Sequence, residues 1–219
     1  MRSTYEHRSN FTRNSNVPTS SMIQPELLAN PTDINARIAR RVKELRLKLG
    51  TSLEDLASRC DVSRSMLSLI EREETSATAV LLEKIARGLG VSLATLFEDA
   101  SAVASPLSRY QDRVAWRDPQ SGYIRRNISP ASFPSPIQIV DVIFPAGATV
   151  AFEAGTRDVV IHQQVWVRKG VIEVTVGRVI YRLTEDDCLA MQMSEPVTFR
   201  NRTRKAAHYI IAIAKGRTA

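Results

Sequence analysis

The sequence predicts a multidomain chain of α and β, with a unit of five short helices followed by an all-β barrel. Two observations carry that reading. Apolar residues recur at helical spacing from Ile34 to Phe97, and a polar residue suited to capping stands before each run. Beyond Pro106 the helical period stops, and β-branched and aromatic stretches alternate with turn residues. Many short strands with no helix between them give a sandwich or barrel.

The elements follow in order. Asp33 is placed to cap a first helix whose inner face carries Ile34, Ile38, Val42, Leu45 and Leu49, with Gly50 as the stop. Ser52 opens a second, with Asp55 three residues on in the manner of a capping box, and it ends near Cys60 and Asp61. Ser63 starts a third through Met66, Leu67 and Ile70. Thr78 caps a fourth with Leu81, Leu82, Ile85 and Leu89, closed by Gly90, and Ser92 caps a short fifth with Leu93, Leu96 and Phe97. Strands are expected at Ile137 to Phe144, Val171 to Val176, Val179 to Leu183 and Tyr209 to Ile213. Pro145-Ala146-Gly147, Lys169-Gly170 and Glu185-Asp186-Asp187 are the turns between them. The divisions are a disordered tail at 1–30, the helical domain at 31–100, a linker at 101–108 and the β domain at 109–219.

Composition narrows the function classes. Hydrophobic residues at 43% and charged residues at 24% are ordinary for soluble globular protein. The longest apolar runs, such as Ile210 to Ala214, are too short to span a membrane, and no signal-peptide core opens the sequence. Cytoplasmic location is therefore expected. Cys60 and Cys188 have no C-x-x-C spacing, which argues against a disulfide framework or zinc site. A net charge of +7 favours a polyanionic partner. Its distribution does not locate the contact, because charges nearly cancel over 34–100 and the excess lies in 101–219.

The stretch Leu53 to Arg72 carries the strongest signal. Leu56 and Ala57 give an inner face on which a second helix can cross closely, Val62 plugs the turn, and Leu67 with Ile70 seat the following helix. Arg64, Ser65, Ser68 and Leu69 are left pointing outward. With Val42-Lys-Glu-Leu-Arg46, Val62-Ser63-Arg-Ser, Ile70-Glu71 and Ile85-Ala86-Arg-Gly-Leu89, residues 34–99 resemble the lambda-repressor-like (Xre-type) helix-turn-helix domain.

That resemblance implies a transcription regulator that reads double-stranded DNA, and an ion pair between Arg46 and Glu71. The DNA-contact set it points to is Ser52, Leu53, Ser63, Arg64, Ser65, Met66, Ser68, Leu69 and Arg72. Arg64 can donate two hydrogen bonds to guanine, Ser65 and Ser68 can meet base edges or phosphates, and Met66 or Leu69 can touch a thymine methyl. The start of the second helix at Ser52 can bind a phosphate. Leu53 departs from the glutamine common at its place, which removes polar readout there. The alternative for Arg64 is a solvated surface arginine.

Residues from Arg109 to Lys215 resemble the small cupin barrel, on Pro145-Ala-Gly147, Gln164-Val-Trp-Val-Arg-Lys-Gly170 with the strand after it, and Asp187 before Asn201. A metal-binding cupin needs a close His pair, a Glu and a later His. Gln163 or Gln164 falls at the Glu position, no histidine stands at 157–160, and Val197 falls near the last. No metal, no other cofactor and no catalytic set is expected. His162, Gln164 and Trp166 on one strand face, with Met191 and Met193 on another, are the candidate binding residues for a small effector; structural roles for the same side chains stay open. Cys60 is either an inert buried thiol or a redox switch. A recognition helix has a small footprint, so a homodimer joined through the β domain is expected. The alternatives are a constitutive DNA-binding factor whose barrel only oligomerises, and a cupin enzyme with an accessory head.

Overall fold

The computed structural model of the chain describes residues 31–98, 105–131, 133–154 and 160–216. The expected tail at 1–30, the first half of the expected linker, 101–104, and the candidate metal positions at 157–159 lie outside them.

Among the described residues four α-helices form where five were expected: α1 (Pro31–Lys48), α2 (Leu53–Cys60), α3 (Arg64–Glu71) and α4 (Ala79–Gly88). The fifth, Leu93–Phe97, is a 3₁₀ helix, because its five residues lie between the Ser92 cap and an extended Glu98 and cannot close an α-helical ladder. Ser52, Ser63, Thr78 and Ser92 each accept the amide three residues on, as their spacing predicted. Asp33 lies within α1, which is described from Pro31, and not ahead of it. Ile34, Ile38 and Val42 are buried, but Leu49 lies past the end of α1 and is exposed. Gly50 turns the chain there with φ of 62° and donates to the Leu47 carbonyl.

Among the described residues the C-terminal region holds ten strands, all antiparallel in their pairings: β1 (Ala115–Arg117), β2 (Ile124–Asn127), β3 (Ile137–Phe144), β4 (Thr149–Phe152), β5 (Val160–Lys169), β6 (Ile172–Val176), β7 (Val179–Leu183), β8 (Cys188–Gln192), β9 (Val197–Arg200) and β10 (Ala207–Gly216). They make a six-stranded sheet, β1-β2-β3-β10-β5-β8, and a four-stranded sheet, β4-β9-β6-β7. Among the described residues no ladder joins the two, so the expected closed barrel is corrected to two facing sheets. The cause is local. Between β7 and β8 the Asp187 carboxylate accepts the Thr184 amide at 2.7 Å and its hydroxyl at 2.8 Å, and this turn carries the chain from one sheet to the other.

The sheets pack through aromatic rings. Phe199 of β9 stacks on Tyr209 of β10 at 5.9 Å, and Tyr209 meets Phe144 of β3 at 6.2 Å. The file continues through Tyr123 and Trp116 to Phe97 of the helical head, 5.2 Å from Trp116. Head and β region thus share one apolar core.

Polar contacts lock the same seam. Asp118 accepts the Ala79 amide at 2.8 Å and so places a carboxylate at the positive end of α4. Asn127 donates to the Ala94 carbonyl at 2.8 Å. Gln138 accepts from Ser92 and donates to Glu98 at 2.5 Å, and Lys84 pairs with Glu153 at 3.1 Å.

Candidate functional site

The helix-turn-helix is built around a buried charge pair. Arg46 near the end of α1 donates through Nε to Glu71 Oε1 at 2.7 Å and through Nη2 to Oε2 at 2.8 Å. Its third nitrogen reaches the Thr51 carbonyl at 3.1 Å. The Glu71 carboxylate, through those hydrogen bonds, raises the guanidinium above its ordinary pKa. The pair ties the last residue of α3 to α1, and Leu67 (0% exposed) with Ile70 (2%) hold its inner side.

The outer side of α3 is free. Ser63, Arg64, Ser65, Met66 and Arg72 are exposed, and Ser68 and Leu69 are half-buried on the flank. The Arg64 side chain is 67% exposed and meets Glu54 only at 3.6 Å, an ion pair that solvent screens and a stronger partner can replace. The Ser63 hydroxyl caps the helix at the Met66 amide, 3.1 Å away, and lies 3.1 Å from the Ser65 hydroxyl. Arg72 contacts Glu74 at 3.0 Å.

The start of α2 is less suited to phosphate than its sequence implied. Ser52 is occupied with Asp55, donating to Oδ2 at 2.6 Å and accepting the amide at 3.0 Å. Glu54 and Asp55 also place two carboxylates in the first turn. Leu53 is half-buried and packs on the core.

Comparison with known proteins fits this geometry. Residues 42–96 match the helix-turn-helix family HTH_3. The control protein C.MunI of Mycoplasma sp is 40% identical over 68 residues, which are 31% of this chain and 92% of that protein. The chain belongs to the HTH_3 helix-turn-helix family. The HTH-type transcriptional regulator SinR of Bacillus subtilis (strain 168) is 40% identical over 63 residues, 28% of this chain, and the match spans only 57% of SinR. A crystal structure of an HTH_3 family transcriptional regulator from Vibrio cholerae superposes with a TM-score of 0.68 at 22% identity, covering 86% of this chain and 100% of that one. Two-part architecture is thereby common to both folds.

The β-domain candidates are divided by the structure. His162, Gln164 and Trp166 do share one face of β5, but it is the outer face; Trp166 is 42% exposed with Arg168 stacked on its ring at 4.0 Å. Met191 and Met193 are buried, and only Met193 lines the cavity between the sheets. The parity was readable: Ile161, Val165 and Val167 alternate as the apolar set of β5, which places Gln163 inward and its neighbours outward. Gln163 lines the cavity, with Tyr123, Arg125 and Tyr209. Burial pushes the Tyr123 phenol up to about 12 and Tyr209 well above its ordinary value, so both are neutral hydrogen-bonding groups.

Glu83 and Leu93 of the head complete the wall. Nothing in the sequence marked them, because their place depends on how the head docks. Among the described residues no three His, Cys, Asp or Glu side chains come together as a metal set. Their helices are likewise too short or too polar to cross a membrane. Cys60 is fully buried, and burial pushes its thiol up to about 11, the behaviour of an unreactive core residue.

Proposed function

We propose that this chain is a cytoplasmic, sequence-specific transcription regulator that binds double-stranded DNA as a homodimer, with α3 in the major groove and a small effector in a metal-free, cupin-like β domain. One observation carries the reading: α3 is fixed from behind by the Arg46–Glu71 pair while Arg64, Ser65 and Met66 stand exposed on its front. Membership of the HTH_3 family supports it, as does the likeness to SinR, an HTH-type transcriptional regulator. Ser63, Ser68, Leu69 and Arg72 flank the base-reading set, and Ser52 with Leu53 borders it. A dimer is supported by β7, an edge strand whose Val179, Ile180 and Tyr181 are exposed apolar side chains that a second copy would cover.

Arg64→Ala tests the core of this reading. Binding to the preferred site should weaken by about 1–3 kcal/mol, with preference lost at one base position, while thermal stability stays unchanged. Binding titrations against a set of single-base variants measure it. Equal weakening on every sequence would make Arg64 a phosphate contact instead.

A further inference from the structure

We propose that the cavity at the seam between head and β domain binds a small organic carboxylate through Arg125, and that filling it pushes the head off the β domain. Arg125 lies on β2, is only 5% exposed, and its Nε has no hydrogen-bond acceptor. Its guanidinium shares the cavity wall with the Tyr123 phenol and lies over the Phe97 ring of the head, 4.6 Å from the centroid. A buried guanidinium with an unused donor calls for an anion. Apart from Glu83, Gln163 and the two tyrosines the lining, including Phe152, Phe199 and Ile213, is apolar, which suits a short hydrocarbon chain and disfavours a multiply charged group such as free phosphate.

The size of the cavity gives the direction of the effect. It measures about 40 Å³, close to the roughly 30 Å³ share of one water in the liquid, so an acid of several carbons fits only if a wall yields. Most of the wall comes from hydrogen-bonded sheets. Tyr123 and Met193 adjoin strand ends, and the head supplies Glu83 of α4 and Leu93 of the 3₁₀ helix, held by contacts at the seam. The head is the wall that moves. Arg125 binds both the ligand and Phe97, so occupancy also competes with the ring that keeps the head docked.

Only the consequence for gene control rests on the regulator reading, and the test needs no DNA. The sequence has two tryptophans, and Trp166→Phe leaves Trp116, which is 3% exposed and packed on Phe97 across the seam. The full chain carrying that change is titrated calorimetrically and by fluorescence with butyrate, L-2-aminobutyrate and neutral butyramide. Butyrate should bind saturably, at least about tenfold tighter than butyramide, and shift Trp116 emission to the red. L-2-aminobutyrate should bind too; if tighter, Glu83 takes its ammonium group, and if weaker, Glu83 is only wall, and either order supports the Arg125 site. Arg125→Met should weaken butyrate by at least about tenfold; if that variant does not fold, the acid-to-amide ratio on the unaltered Arg125 decides. Equal binding of acid and amide, or no binding at millimolar concentration, overturns the site. Discriminating binding with unchanged Trp116 emission overturns the displacement of the head. Failure of DNA reading by α3 would leave all these results untouched.

Discussion

The two faces of the helical head are built differently. On the α3 side, Arg64, Ser65 and Met66 are exposed and meet only Glu54 and Ser63 through polar contacts, while Leu67, Ile70 and the Arg46–Glu71 pair hold the helix from behind. On the α4 side, Asp118, Asn127, Gln138 and Glu153 meet the helix and the 3₁₀ turn through hydrogen bonds and an ion pair, and Phe97 enters the core of the β domain. A surface meant for another molecule keeps its donors unspent. A surface meant for its own chain spends them. The contrast separates what a change in each place should cost.

The largest effect belongs to the scaffold behind α3. Glu71→Ala leaves a buried guanidinium without its carboxylate and should cost about 3–5 kcal/mol in urea unfolding, whereas a paired Arg46→Met, Glu71→Leu replacement should recover most of it. If the single change cost no more than a surface substitution, α3 would be held by its apolar side alone, and the contrast would weaken.

Next comes the packing behind α4. A Cβ on Gly88 would lie 2.3 Å from the Cys60 sulfur, so Gly88→Ala should cost about 1–3 kcal/mol. Cys60→Ala in the same chain should return part of that loss, and a double-mutant cycle by thermal unfolding measures the coupling. Additive losses would show that the α2–α4 contact relaxes freely.

The smallest effect is at the seam. Burial raises Glu98 above its ordinary 4.5, outweighing Arg41 and Gln138, which lower it. Between the ordinary value and the raised one the folded chain holds more protons than the unfolded chain. Stability therefore falls as pH rises through that window and is regained as pH falls. Glu98→Gln should flatten this slope while keeping the contact to Gln138, and urea midpoints across the window would read it. A slope that survives the substitution would come from another group.

The same contrast governs how much was legible in the sequence. The capping residues Ser52, Ser63, Thr78 and Ser92 act within three residues of themselves, and each was readable from spacing alone. So were the buried faces of α2 and α3, and the strands β3 and β7 at their observed bounds. The Arg46–Glu71 pair came through family resemblance. The seam was not readable, because Asp118 and Gln138 meet partners 39 to 46 residues away and carry no local mark of it. Which side of β5 faces inward was left open, although Val165 and Val167 name the inner face. Arg125 and Arg126, adjacent and both buried in β2, were not readable, because strand alternation puts only one of two neighbours on the inner face.

The central claim is that the free face of α3 reads DNA in a two-fold arrangement. The direct test is selection of genome fragments by the purified chain at two salt concentrations, followed by sequencing. The account predicts one shared, two-fold site that stays enriched at the higher salt, with half-sites about one helical turn or a multiple apart. Recovery spread evenly over the genome and lost steeply with salt would contradict it, leaving only counterion release to the chain's excess positive charge.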